Sequence, residues 1–173
     1  NVPPMLMAFG ITTVDAEKVI SPELKYEGNK LYLIKHTPLA NHMPDVEQLK
    51  ANWAYVTEQI EAENIVSGYA LGFGGLAEAI CKMSFGNGLD AKIDYDEKEL
   101  FNYGYGSILV EAEEELDYPN AILIGEVTDG EESELIINGK KFDIFELMDV
   151  NSARFAQVYP DTAEAYNKKI APA

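Results

Sequence analysis

The chain has 173 residues, 47% of them apolar, and 13 Lys and Arg stand against 30 Asp and Glu for a formal net charge of −17. That length suits one domain, and that apolar share is enough for a real core. Such acidity argues against nucleic acid, whose phosphates are bound largely through Lys and Arg, and against anionic membrane surfaces; its ordinary consequence is solubility.

The chain opens on Asn1-Val2-Pro3 rather than methionine and reads as an excised piece of a longer protein. Met5 to Ile11 is an apolar run of strand length, and Met5 to Phe9 is far too short for a signal segment or a membrane span. Asp15 to Ile20 suits a short helix stopped by Pro22. Leu31 to Lys35 reads as a second strand. Pro44-Asp45 then opens a long helix over about 45–63, with Asp45 and Gln48 as an N-cap pair. Val46, Leu49, Trp53, Val56 and Ile60 recur at helical spacing, which predicts that Trp53 is buried between this helix and a sheet.

The next stretch, VSGYALGFGGLAEAICKMSFGNG over 66–88, is the most informative. An apolar run leads into Gly72-Phe73-Gly74-Gly75, after which Leu76, Ala79, Ile80 and Met83 mark one face of a helix over about 75–85. Gly86, Asn87 and Gly88 form its stop signal. Strand, glycine turn and helix is an arrangement that aims backbone N–H groups and a helix dipole at an anion. Two readings are open at this point: an anion cradle, or a tight turn with no ligand. The turn contains no Ser, Thr, Asp or Asn to cap the helix, which points any anion to Gly74 and Gly75, facing the amides of Gly75, Leu76 and Ala77.

Leu89 to Tyr95 alternates apolar and polar residues, as a strand with one buried face does. Ser107 to Val110 and Ala121 to Val127 read as further strands, and Asn138-Gly139 between Ile136-Ile137 and Lys140 to Ile144 is a type I′ hairpin signal. After about Met148 the pattern weakens into a tail containing Tyr159-Pro160-Asp161. The elements together predict an α/β protein, a mixed sheet with packed helices, in a domain over 1–148 followed by a tail or linker over 149–173.

Recognisable catalytic groups are scarce. His36 and His42 lie near prolines with no ligand-spaced Cys, Asp or Glu, which assigns them surface polar roles and no metal. Cys81 cannot form an internal disulfide because it is the single cysteine, so nothing implies a secretory compartment, and it reads as a small buried hydrophobe. The acidic run Glu111 to Asp117 lacks the spacing of a calcium loop and reads as a solvated loop or helix edge. Tyr69, Phe73, Tyr103 and Tyr105 suit either core packing or stacking around a purine ring.

Several segments resemble one family in the same order. Val2 to Gly10 (VPPMLMAFG), Val19 to Lys25 (VISPELK), Gly28 to Ile34 (GNKLYLI), Gly74 to Ile80 (GGLAEAI) and Met83 to Asn87 (MSFGN) are similar to the last synthetase segment of phosphoribosylformylglycinamidine synthase. Gly125-Glu126-Val127 and Leu135 to Gly139 continue the match, which spans about residues 2 to 145. That segment resembles the C-terminal domain of aminoimidazole ribotide synthetase, a member of the same superfamily, and implies its fold. The departures are specific. Many single-chain members carry His-Asp-x-Ser-Asp-Gly-Gly at the turn, whereas this chain has Tyr69 to Gly75 (YALGFGG), without the histidine or either aspartate. No metal-binding carboxylate carries over, and the loop between Leu39 and Pro44 is shorter than in many relatives.

The resemblance implies an ATP-dependent ligase of purine biosynthesis, cytoplasmic, that converts formylglycinamide ribonucleotide into its amidine. ATP and Mg²⁺ belong to the parent enzyme, and the ammonia comes from glutamine on a glutaminase domain absent from this chain. Other synthetase domains of the parent chain are the implied partners. The fragment's own share is a supporting domain: no catalytic residue, no metal, and backbone contacts to a substrate or nucleotide phosphate from Gly72, Gly74, Gly75, Leu76 and Ala77. The competing reading is a non-catalytic scaffold whose glycine turn is a folding device.

Overall fold

The computed structural model describes residues 6–130, 132–154 and 156. Its elements in chain order are β1 (Lys30–Ile34), α1 (Val46–Glu61), β2 (Ile65–Ala70), α2 (Gly75–Phe85), β3 (Asp90–Ile93), β4 (Ile108–Ala112), β5 (Ala121–Thr128), β6 (Glu134–Ile137), β7 (Lys140–Asp143) and α3 (Ile144–Ala153). A single 3₁₀ turn, Ala16–Lys18, precedes them, with the Asp15 side chain accepting from the Glu17 amide. The seven strands form one mixed sheet in the order β2-β4-β1-β5-β3-β6-β7, antiparallel except for the β3–β6 pair. The predicted class, α/β with packed helices, is the class observed.

The two faces of the sheet are covered differently. On one, α2 and α3 bury Leu76, Ala79, Ile80, Met83 and Ile144 against Leu31, Leu33, Ile93, Leu109 and Leu135. Leu, Ile and Met side chains on facing elements exclude water there, each contributing roughly 1.5–3 kcal/mol. On the other, α1 covers only the β1–β4–β2 half, where Val56 packs with Tyr32, Ile34, Ile65 and Val110. Asp45 caps α1 as its sequence predicts, accepting from the Gln48 amide at 3.1 Å. The reciprocal half of the box is not made: Gln48 Oε1 instead accepts from the Thr37 amide at 2.7 Å.

The buried face of α1 keeps Leu49, Val56 and Ile60 of the predicted stripe and departs from it elsewhere. Val46 and Trp53 point outward, Trp53 being 49% exposed, and the buried positions are Asn52 and Val56. Asn52 turns inward because it has polar partners there. Its amide donates to the Lys35 carbonyl at 3.1 Å, and its Oδ1 accepts from Tyr118 Oη and Asn120 Nδ2, each at 2.8 Å. Those bonds tie α1 to the end of β1 and to residues 118 and 120.

Three further expectations meet the structure. Residues 6–11 form no strand; they pair with no edge, and Leu6 and Ile11 are exposed, while Met5 lies outside the described residues. The hairpin is as predicted: β6 and β7 are joined by Asn138 and Gly139, both at positive φ (51° and 77°), as a type I′ turn needs. Past β7 the chain continues as α3 through Met148 to Ala153, capped by Asp143, whose side chain accepts from the Glu146 amide. The Tyr159-Pro160-Asp161 stretch lies outside the described residues.

Candidate functional site

Gly72, Gly74, Gly75, Leu76 and Ala77 meet at the junction between β2 and α2, at one end of the sheet. β2 ends at Ala70, Leu71 is buried and donates its amide to the Ser107 carbonyl at 2.9 Å, and the chain then turns into the helix. Gly74 is the N-cap residue, with no side chain to cap with. Three of the amides are nevertheless engaged. Gly74 N–H donates to Glu78 Oε2 at 3.0 Å, Gly75 N–H to the Gly72 carbonyl at 3.2 Å, and Ala77 N–H to the Leu100 carbonyl at 2.9 Å. Glu78 therefore brings a carboxylate from the helix's own first turn to the positive end of its dipole, where negative charge is stabilised.

The glycines at this junction have different local reasons. Gly75 sits at φ +64°, and a Cβ there would run into the Asn102 carbonyl and lie 2.9 Å from the Leu100 carbonyl. The loop 99–104 packs directly onto the glycine backbone, which only a residue without a side chain accommodates. Gly72 has open space where a Cβ would stand. Leu76 is fully buried in the core and Ala77 is half-buried.

Residues 72–77 contain no Lys, Arg, Asp or Glu, and the nearest carboxylate, Glu78, faces the Gly74 amide. Lys82 donates to Asn151 Oδ1 at 2.7 Å on the far part of the helix. This donor set does not fit a nucleotide triphosphate with Mg²⁺, which needs carboxylate ligands and positive charge over its phosphates. Among the described residues no group of three or more His, Cys, Asp or Glu is placed to hold a metal ion.

Beside the turn stands a ladder of exposed aromatic rings. Phe73 stacks on Tyr103 with ring centroids 5.0 Å apart and planes 26° apart, and Tyr105 lies 6.4 Å further on, tilted by 51°. Tyr69 is not part of it: half-buried against the core, its phenol is pushed upward in pKa by burial and then by the Glu78 charge. Tyr103 and Tyr105 instead line a cavity of about 680 Å³ with His36, Pro38, His42, Pro44 and Asn102.

His36 forms part of the frame beneath that cavity, a correction to its expected surface role. It is buried, its own amide donates to Ser107 Oγ at 2.9 Å, and its Nε2 accepts from the Asp45 amide at 3.2 Å. An accepting Nε2 places the ring proton on Nδ1, which faces the Tyr105 carbonyl at 3.1 Å. His42 is exposed, at φ 63°. Cys81 is partly buried against the core, and that burial pushes its thiol pKa up, the opposite of an activated nucleophile.

The sequence reading also misplaces Glu111. Its acidic run reads as a solvated loop or helix edge, yet Glu111 lies on β4 with no exposed surface. Its carboxylate accepts from the Lys25 amide (2.8 Å), the Tyr26 amide (3.0 Å), Asn29 Nδ2 (2.8 Å) and Ser67 Oγ (2.8 Å). It clamps the segment leading into β1 against β2 and β4. The signal available was the sequence ILVEA, an acidic residue inside an apolar strand run.

No protein-family model matches the chain, and no curated protein matches it in sequence. Solved structures do match in fold. Phosphoribosylformylglycinamidine synthase II from Thermotoga maritima superposes with a TM-score of 0.61 at 12% identity, over 78% of this chain and 28% of that one. T. maritima PurL complexed with ATP gives 0.57 at 11% identity, over 75% and 26%. E. coli HypE, a hydrogenase maturation protein, gives 0.52 at 13% identity, over 72% and 52%. The fold is that of the aminoimidazole ribotide synthetase type, as the sequence resemblance implied. The chain spans between a quarter and a third of the length of these synthase structures.

Proposed function

We propose that this chain is a supporting domain of an ATP-dependent, amidine-forming ligase of purine biosynthesis, acting as the scaffold on which other synthetase domains assemble. The fold and the ordered sequence resemblance support the enzyme class. The observation that carries the scaffold role is the closure of the turn: the amides of Gly74, Gly75 and Ala77 donate within the chain, one of them to the Glu78 carboxylate. ATP, Mg²⁺ and the ribonucleotide belong to the other synthetase domains, glutamine hydrolysis to a glutaminase partner, and the cytoplasm is the matching compartment. The protein by itself is expected to show no turnover of formylglycinamide ribonucleotide and no glutaminase activity, since no paired carboxylates, basic clamp or activated nucleophile stand at the turn.

A second reading keeps the turn as a phosphate cradle at Gly72, Gly74, Gly75, Leu76 and Ala77. It is favoured by the open space at Gly72 and by Glu78 being half-buried, so that an incoming anion has room to displace it. Titrating inorganic phosphate and ATP into the protein, with the backbone amides of residues 72–77 followed by NMR, separates the two. The scaffold reading expects no saturable shift there in the wild type. A saturable shift at those amides, enhanced in Glu78→Gln, overturns it in favour of the cradle.

A further inference from the structure

We infer that the cavity between the 36–44 loop and the 102–105 loop is a binding site for an uncharged planar heteroaromatic ring, of the size of a nucleobase or nucleoside, held without any phosphate contact. The inference is independent of how the glycine turn is read. Its volume, about 680 Å³, falls in the range of small-molecule sites, which are concave, largely apolar and carry a few placed polar groups. Pro38 and Pro44 give it stiff walls. Tyr103 and Tyr105 line it with aromatic rings, and Phe73 stacks on Tyr103 beside it.

The frame is fixed from below. His36 connects both loops, through Asp45 N–H on one side and the Tyr105 carbonyl on the other, so the cavity is formed before a ligand arrives. Gly106, at φ +87°, brings the backbone under the His36 ring: a Cβ there would lie 2.9 Å from His36 Nδ1. The rings are open to a ligand: Phe73 is 71%, Tyr103 68% and Tyr105 62% exposed. Contiguous exposed apolar surface of this kind marks recognition sites.

The lining selects the ligand's chemistry. Asn102 provides both an amide donor and a carbonyl acceptor, and His42 one of each when neutral, so the edge of a heteroaromatic ring finds partners that a hydrocarbon ring does not. No Lys or Arg lines the cavity, and the nearby Lys35 is paired with Glu99 at 2.9 Å. In a chain of net charge −17, a phosphate-bearing ligand is repelled rather than gripped.

The test uses adenosine, AMP and inorganic phosphate as probes, titrated into the protein while the amides of Asn102, Tyr103, Gly104 and Tyr105 are followed by NMR and binding heat is measured. Adenosine is expected to bind saturably with shifts at those residues, AMP no more tightly than adenosine, and phosphate not at all. Base–aromatic stacking predicts that Tyr103→Ala weakens adenosine binding roughly tenfold, whereas Tyr103→Phe, which keeps the ring, restores it. Both tyrosines are exposed, so these variants keep the fold, checked by unchanged thermal melting. The inference is overturned if adenosine produces no saturable shift at its solubility limit, if the shifts fall elsewhere, if AMP binds more tightly than adenosine, or if Tyr103→Ala binds as the wild type does.

Discussion

Glu78 and Glu111 both hold backbone amides, and they do so in opposite ways. Glu78 reaches back one helical turn to a single amide, Gly74 N–H, and is half-buried. Glu111 has no exposed surface and gathers four donors from residues 44 to 86 positions away in sequence. The first satisfies a helix end locally, in a geometry any exposed helix can adopt. The second is the contact through which the chain ahead of β1 becomes part of the sheet. A buried charge is costly unless every lone pair is engaged, so Glu111 binds the fold to one arrangement of its four donors. The motif that stands out in sequence, the glycine turn, is thus closed by the weaker device, while the stronger one hides in an acidic run.

The difference is measurable as stability. Glu111→Ala leaves four donors without their acceptor and is expected to cost roughly 3–5 kcal/mol in chemical denaturation. Glu111→Gln keeps one accepting oxygen and should cost less. If Glu111→Ala loses no more than an exposed acidic residue does, the clamp is not holding the N-terminal segment. Gly75→Ala comes next, at roughly 2–4 kcal/mol, because a side chain is strained at φ +64° and its Cβ meets the Asn102 carbonyl. Gly72→Ala, where space is open, is its control and should change stability by less than about 1 kcal/mol. Equal effects at the two glycines would mean that loop 99–104 does not pack on the junction. Glu78→Ala removes only an N-terminal cap and a favourable dipole contact, and about 1 kcal/mol is expected.

What was legible in the sequence follows the same division. Periodicity within one element located β1, β2, both long helices, β5 and the hairpin, because those signals are written in neighbouring residues. The face of α2 was read correctly since its stripe of Leu76, Ala79, Ile80 and Met83 is apolar throughout. In α1 the predicted stripe holds at Leu49, Val56 and Ile60 and fails at Val46 and Trp53, while Asn52 is buried by partners at Lys35, Tyr118 and Asn120, which no window around the helix contains. Trp53 then falls outward despite its apolar ring. His36 and Glu111 were misplaced for the same reason: their burial depends on hydrogen bonds made by distant loops. An apolar run such as residues 6–11 also needs an edge to pair with, and its composition alone cannot supply one.

Asp90 lies between Glu78 and Glu111 in burial, and pH reports on it. It is 7% exposed at the start of β3, and its Oδ1 accepts from the Glu134 amide at 2.9 Å, holding β6 in register. Burial raises its pKa; backbone hydrogen bonds at Glu134 and Gly130 oppose the shift, and the neighbouring charges of Asp129 and Glu134 add to it. The sign follows from linkage. A carboxyl whose folded pKa lies above its unfolded value, about 3.9 for aspartate, favours folding in its protonated form. That contribution is complete below the unfolded pKa and is lost as pH rises through the folded one. Asp90→Asn keeps a neutral acceptor for the Glu134 amide and removes the titration. The melting temperature of Asp90→Asn relative to wild type is therefore expected to rise as pH goes from acid to neutral, by less than any change above. A difference that stays constant with pH, or falls, would show that burial does not raise the Asp90 pKa.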